Sequence, residues 1–231
     1  MKIYKKIALK FPQLGKYKRI IMAIVDTIRN KNSYSQYGED KFIIQFLNER
    51  GIKKGNYIDV GANHPTTISN TFGLYKNGFK GYIVEPNKEL ANLYKYFRKR
   101  DMVFQFGLSN EVGLFVMNIS KTPVLSSFNN LDENLIWKKE YIPVLTLDEI
   151  DKSLCLNHID FLSIDTEGLN YKVLLGATQT LNKTLLLCIE VDNEKDELEV
   201  IDLLCNNNKF SLINKIHCNL FFENKNLKNI L

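Results

Sequence analysis

No apolar run in this chain approaches the roughly 20 residues that a membrane-spanning helix needs. The stretch Ile20 to Val25 is too short, and no small-residue cleavage site follows it, so no signal peptide is expected. Cysteine is scarce. Cys155, Cys188, Cys205 and Cys218 form no C-x-x-C pair, and Cys188 and Cys205 fall in apolar segments. Such usage reads as buried, reduced thiols and argues against a disulfide framework or a zinc site. The expected compartment is therefore cytosolic. The phosphate-cradling patterns G-x-G-x-x-G and G-x-x-x-x-G-K-[ST] are also missing, which counts against a dinucleotide or ATP. No repeat and no low-complexity tract is present.

What is present is enough apolar residue (45% of 231) for one sizeable domain. Charge is distributed unevenly. Nine Lys or Arg against Asp26 alone give residues 1–33 a net +8, which leaves −3 on the remainder of a chain carrying +5. A mildly acidic main domain argues against a nucleic-acid-binding face. The basic stretch reads as a helical extension. Its interspersed Ile and Leu suit packing on its own domain, on a second copy, or on an anionic membrane surface, a peripheral attachment for a cytosolic protein.

From residue 34 onward strands and helices alternate. Helices are predicted over 39–50, 69–76 and 88–99, and strands over 56–60, 81–84 and 103–108. An extra strand is expected at 114–119. Residues 120–143 look polar and irregular, with a short helix at 131–138. A strand at 141–145 then leads into a capped helix opened by Thr146 and Glu149. Strands at 161–164 and 185–191, helices at 171–181 and 195–206, and a strand pair near 210–214 and 219–223 complete the pattern. The expected fold is α/β: a Rossmann-like doubly wound, mostly parallel seven-stranded sheet, helices on both faces, and a C-terminal antiparallel strand. The expected division is an extension over 1–33 and one domain over 34–231.

Two predicted strands end in acidic settings, Tyr57-Ile58-Asp59-Val60-Gly61-Ala62-Asn63 and Gly81-Tyr82-Ile83-Val84-Glu85-Pro86-Asn87. A strand–turn–helix–strand unit brings these ends to one crevice. Gly61 leaves room for a ligand against the backbone, and Glu85 can accept both hydroxyl hydrogens of a ribose. Either carboxylate alone reads as a turn cap; together they point to a ribose-bearing ligand.

These segments resemble the FkbM-type family of S-adenosylmethionine (SAM)-dependent, class I methyltransferases. Ser35-Gln36-Tyr37-Gly38-Glu39-Asp40, Asp59 to Asn63, Ser69-Asn70-Thr71, Gly81 to Pro86 and Ser163-Ile164-Asp165-Thr166-Glu167-Gly168 occur in the family's order, over roughly residues 34–192. The resemblance implies methyl transfer to a hydroxyl of a small molecule, often a sugar or a polyketide-like metabolite. It places Asp59, Gly61, Ala62 and Asn63 near the methionine end of SAM, Glu85 at its ribose, and Leu108 and Ser109 by the adenine.

An alcohol is a weak nucleophile, so a base or a metal must help remove its proton. Candidate bases sit at strand ends: Asp165 first, then Glu190 and His64. Asp165 and Glu190, with Asn63 or His64 as a neutral ligand, also suit a hard divalent cation. Glu167 reads as a substrate contact or as a helix N-terminal charge. Ser126, Ser127 and Trp137 are the expected acceptor contacts, with Trp137 suited to stack on a sugar ring or to pack in a lid. The expected activity is O-methylation of a sugar or sugar nucleotide in surface-glycan biosynthesis. The competing readings are a non-catalytic cofactor-binding subunit and an NAD-dependent oxidoreductase. The chain lacks the Asn/Asp-Pro-Pro-aromatic segment of enzymes that methylate exocyclic base nitrogens.

Overall fold

In the computed structural model, residues 33–121, 126–129, 132–207 and 210–227 are described. The extension expected at 1–32 lies outside them. The described chain opens with a loop fastened by one carboxylate: Asp40 accepts from Ser33 Oγ (2.7 Å), Tyr34 N (2.8 Å) and Ser35 Oγ (2.9 Å). Helix α1 (Glu39–Glu49) carries that Asp in its first turn, where it also complements the helix dipole.

Then follow β1 (Asn56–Val60), α2 (Phe72–Lys76), β2 (Lys80–Val84), α3 (Lys88–Phe97), β3 (Met102–Phe104), β4 (Gly107–Leu108), β5 (Gly113–Ser120) and β6 (Ile136–Leu145). The second half contains α4 (Leu147–Leu154), β7 (Ile159–Ile164), α5 (Asn170–Leu175), α6 (Thr178–Asn182), β8 (Thr184–Glu190), α7 (Glu194–Ile201), β9 (Phe210–Ile216) and β10 (Asn219–Asn224). The main sheet has seven strands in the order β3-β2-β1-β7-β8-β10-β9. β10 alone runs antiparallel to its neighbours. The order reverses between β1 and β7, and their carboxyl ends flank the crevice where such sheets bind ligands.

Alternation along each central strand builds two cores. Ile58, Val60, Leu162, Ile164, Leu187 and Ile189 face one side, where Ile150, Val173, Leu174 and Val200 of α4, α5 and α7 cover them. Tyr57, Phe161, Leu186, Cys188 and Phe221 face the other, against Ile43, Phe46 and Leu47 of α1, with Leu74 and Tyr94. A strand apolar on both faces is stable only with helices on both, so the doubly wound, Rossmann-like arrangement follows from the sequence.

Several elements differ from expectation. The strand expected over 103–108 divides, because β4 leaves the main sheet and pairs with β6 in a second sheet ordered β4-β6-β5. The helix expected at 131–138 does not form. Asp132 caps a single 3-10 turn, Glu133–Leu135, and β6 begins at Ile136 and pairs antiparallel with β5. Residue 131 itself lies outside the described residues. The helix expected over 171–181 breaks at Gly176, where an added Cβ would lie 2.4 Å from the Ser109 carbonyl oxygen. Asp148 then accepts from Gln179 N and Thr180 N (2.8 Å) at the start of α6. The helix expected over 195–206 ends as α7 and continues as a π turn, Asp202–Asn207.

Candidate active site

The turn after β1 is shaped by its backbone. Gly61 has φ 75 and Asn63 φ 53, and Gly61 N donates to Val84 O at the end of β2 (2.9 Å). The glycine is required for a reason other than the expected one. Its Cβ would fall 1.8 Å from the carbonyl oxygen of Asp165, so the space holds the β7 exit, not a ligand. Tyr94 of α3 donates to Ala62 O (2.9 Å) and fixes the turn from behind.

Glu85 joins this turn to the next helix. Its Oε2 accepts from Asn63 N (2.8 Å) and its Oε1 from Asn87 N (2.7 Å). Burial pushes its carboxyl up to about 7, although the N–H donors of Asn87 and Asn63 pull the other way. Each oxygen keeps a further lone pair for a ligand hydroxyl.

Asp59 does not line the crevice, contrary to the sequence reading. It shares the Tyr57 face of β1 and accepts from Thr71 Oγ1. Thr71 and Tyr57 in turn accept from Arg98 Nη2 (2.9 and 2.6 Å), and Arg98 Nε donates to Asp101 (2.6 Å). Arg98 is fully buried, so this is a desolvated polar network beneath the turn. Burial raises the Asp59 carboxyl and the Arg98 charge lowers it.

The exit of β7 forms the opposite wall. Glu167 has φ 50 and Gly168 φ 100, and a Cβ on Gly168 would meet Asn129 Nδ2 at 1.7 Å. Non-glycine residues held in the left-handed region accumulate at functional sites. Thr166 N and Oγ1 both donate to Asn170 Oδ1 (2.7 Å), and Asn170 Nδ2 donates to Glu190 O (3.0 Å). These bonds hold the ends of β7 and β8 in register, and the Asp165 and Glu190 carboxyls hydrogen-bond to each other. Burial holds Asp165 well above the usual carboxylate range; the Glu190 charge and hydrogen bond, then Glu167 and Asp59, add to it. Glu167 is raised by burial, Glu190 and Asp192. The Cys218 thiol, pushed up to about 11 chiefly by burial, donates to Glu190 Oε1 (3.4 Å).

Residues 126–129 form a strap across the crevice. Ser126 Oγ accepts from Ser120 N (3.0 Å) and Asn87 Nδ2 (3.1 Å). Ser127 bridges to Asn118 and donates from its hydroxyl to Glu167 O (2.9 Å). Phe128 lies over Gly107, where a Cβ would come 2.7 Å from its ring. The enclosed space is about 520 Å³.

Of the residues singled out in the sequence, Gly61, Asn63, Glu85, Leu108, Ser126, Asp165 and Glu167 line this crevice. Ala62 belongs to the turn without lining it, and Ser109 is buried, its N–H donating to Leu145 O. Ser127 holds the strap. Glu190 stands behind Asp165. His64 Nδ1 accepts from Thr67 N (3.2 Å), which points that nitrogen into its own turn and away from the crevice. Trp137 is 60% exposed on β6, so it neither stacks in the site nor packs in a lid. Among the described residues no three His, Cys, Asp or Glu side chains are placed to hold a metal ion, so the Asp165–Glu190 cation site finds no further ligand. Leu90, Phe106, Met117 and Cys218 were missed. The alternation of β5, carried past residue 119, is the signal for Met117.

The lining combines carboxylates with apolar walls and includes no Lys or Arg. It suits a cation that carries hydroxyls and does not suit a phosphate. No curated protein matches this chain. Solved structures of similar architecture include an O-methyltransferase from Bacillus cereus in complex with SAH, at 10% identity, 89% of both chains and a TM-score of 0.46. PH1948 from Pyrococcus horikoshii, a candidate RNA methyltransferase, shares 13% identity over 84% of this chain and 91% of its own, with a TM-score of 0.44. The N-terminal domain of human METTL16 shares 10% over 79% and 66%, with a TM-score of 0.43. A family model described as the methyltransferase FkbM domain matches residues 59–212, and the chain belongs to that family.

Proposed function

We propose that this protein transfers a methyl group from SAM to a hydroxyl of a small molecule, a sugar or sugar nucleotide of surface-glycan assembly. The carrying observation is the crevice lining: Glu85, Asp165 and Glu167 among apolar walls, with no Lys or Arg. SAM bears a sulfonium charge and a ribose diol and lacks phosphate, which is the chemistry this lining fits. When bound, it supplies an electrophilic methyl group. The sugar acceptor is inferred from the family alone.

The chain's own residues have distinct tasks. Glu85 offers its remaining lone pairs to the ribose hydroxyls. Phe106, Leu108 and Phe128 form apolar walls for a flat base. The Gly61–Asn63 turn, with its left-handed residues, lies at the methionine end. Asp165 receives the acceptor's hydroxyl proton, and its raised affinity for protons suits a base working near neutral pH. The strap over 126–129 keeps water from the reacting atoms, and fixed alignment of oxygen, carbon and sulfur supplies much of the rate.

Calorimetric titration with S-adenosylhomocysteine (SAH), with NADH in parallel, tests this reading. Saturable one-site binding of SAH alone is expected. A folded sample that binds NADH, or that takes up no SAH, overturns it.

A further inference from the structure

Asp165 and Glu190 end adjacent parallel strands, β7 and β8, and their side chains hydrogen-bond to each other. Two carboxyl groups can do so only with a proton between them. The groups that face the pair are mostly of one sign. Asp59 acts on Asp165 from β1, Glu167 from the β7 exit, and Asp192 lies beyond β8 against Glu190. Cys218 contributes a neutral thiol from β10. The buried cation behind this wall, Arg98, is already bonded to Asp101, Tyr57 and Thr71. The crevice lining contributes no cation of its own.

Resting on the methyltransferase reading, we propose that the Asp165–Glu190 pair reads the charge of the cofactor: it releases its shared proton when a sulfonium cation lies in the crevice and keeps it beside the neutral thioether. A unit cation at about 4 Å lowers a carboxyl's pKa by about three at an effective dielectric near 20. That is enough to ionise a pair held above the usual carboxylate range. The thioether exerts no such pull. During transfer the pair receives the hydroxyl proton as the acceptor O–C bond forms and the C–S bond breaks, its electron pair staying on sulfur. The site thus becomes a proton acceptor when the cation binds and a proton holder when the cation is consumed. The pair thereby acts as a specificity determinant, favouring cofactor over product when it is ionised.

Calorimetry of the full chain with SAM and with SAH, in buffers of different ionisation enthalpy near neutral pH, counts the protons. Binding of SAM should release about one proton more than binding of SAH, and the SAM-to-SAH affinity ratio should rise roughly tenfold per pH unit across that range. The difference should vanish in Glu190→Gln. Equal proton counts in the wild-type protein overturn the proposal, as does a difference that persists in Glu190→Gln. If neither compound binds, the methyltransferase reading fails and the linkage with it. Binding of both with identical counts sinks the linkage alone.

Discussion

Replacing Glu85 with Gln should make the cofactor-free protein more stable at neutral pH while weakening its hold on the cofactor. The Glu85 carboxyl rises from an ordinary 4.5 to about 7 on folding, mainly because it is buried. The native state therefore holds this proton more tightly than the unfolded chain does. Stability from the group is fully present below 4.5 and is lost as pH rises through 7. At 1.36 kcal/mol per pH unit the loss amounts to roughly 3 kcal/mol. Gln mimics the protonated acid, with one acceptor oxygen fewer and no titration. Urea unfolding of both proteins at pH values from about 4.5 to about 8 gives the difference directly, since every other titrating group is common to both. The stability of Glu85→Gln relative to wild type should climb by roughly 3 kcal/mol over that range. Two curves that stay parallel would refute the assignment of a buried, ionising carboxylate. In calorimetry the same variant should bind SAH about tenfold or more weakly, because a neutral acceptor replaces a charged one at the ribose.

Other variants separate the site's parts. Asp165→Asn should leave SAH affinity nearly unchanged and cut turnover about a hundredfold or more, measured as labelled methyl transfer once an acceptor is known; a parallel loss of SAH affinity would contradict the division of roles. Arg98→Met should cost about 3–5 kcal/mol in urea unfolding, because it strands Asp101 and Asp59 in a dry network. Gly168→Ala meets Asn129 at 1.7 Å with φ at 100, so it should destabilise the fold by more than about 1 kcal/mol and admit faster hydrogen exchange at the strap.

The sequence carried the main sheet because its central strands are apolar on both faces, as in the fully buried Ile159–Ile164. It carried Glu85 and Asp165 because each ends such a strand. Asp59 misled for a geometric reason. One strand end looks like another in sequence, but Asp59 points to the Tyr57 face, and its partners Thr71 and Arg98 lie 12 and 39 positions further along the chain. The β5–β6 hairpin was only half legible. Leu114 and Val116 alternate outward into solvent, and a long connection separates the strands, so 120–143 read as irregular. Nor does spacing reveal Cys218, which reaches Glu190 only because β10 inserts beside β8.

That insertion also bears on the order in which the protein can mature on the ribosome. β10 lies between β8 and β9, so the nascent chain leaves β8 with an open edge until residue 224 has emerged from the exit tunnel. The thiol that meets Glu190 arrives at the same late moment. A stalled or clipped product ending before residue 219 would expose one of the most apolar strands in the molecule, Leu185 to Ile189, as a free edge open to pairing with other chains. Quality control of such fragments then depends on chaperones or proteases that recognise this edge during translation.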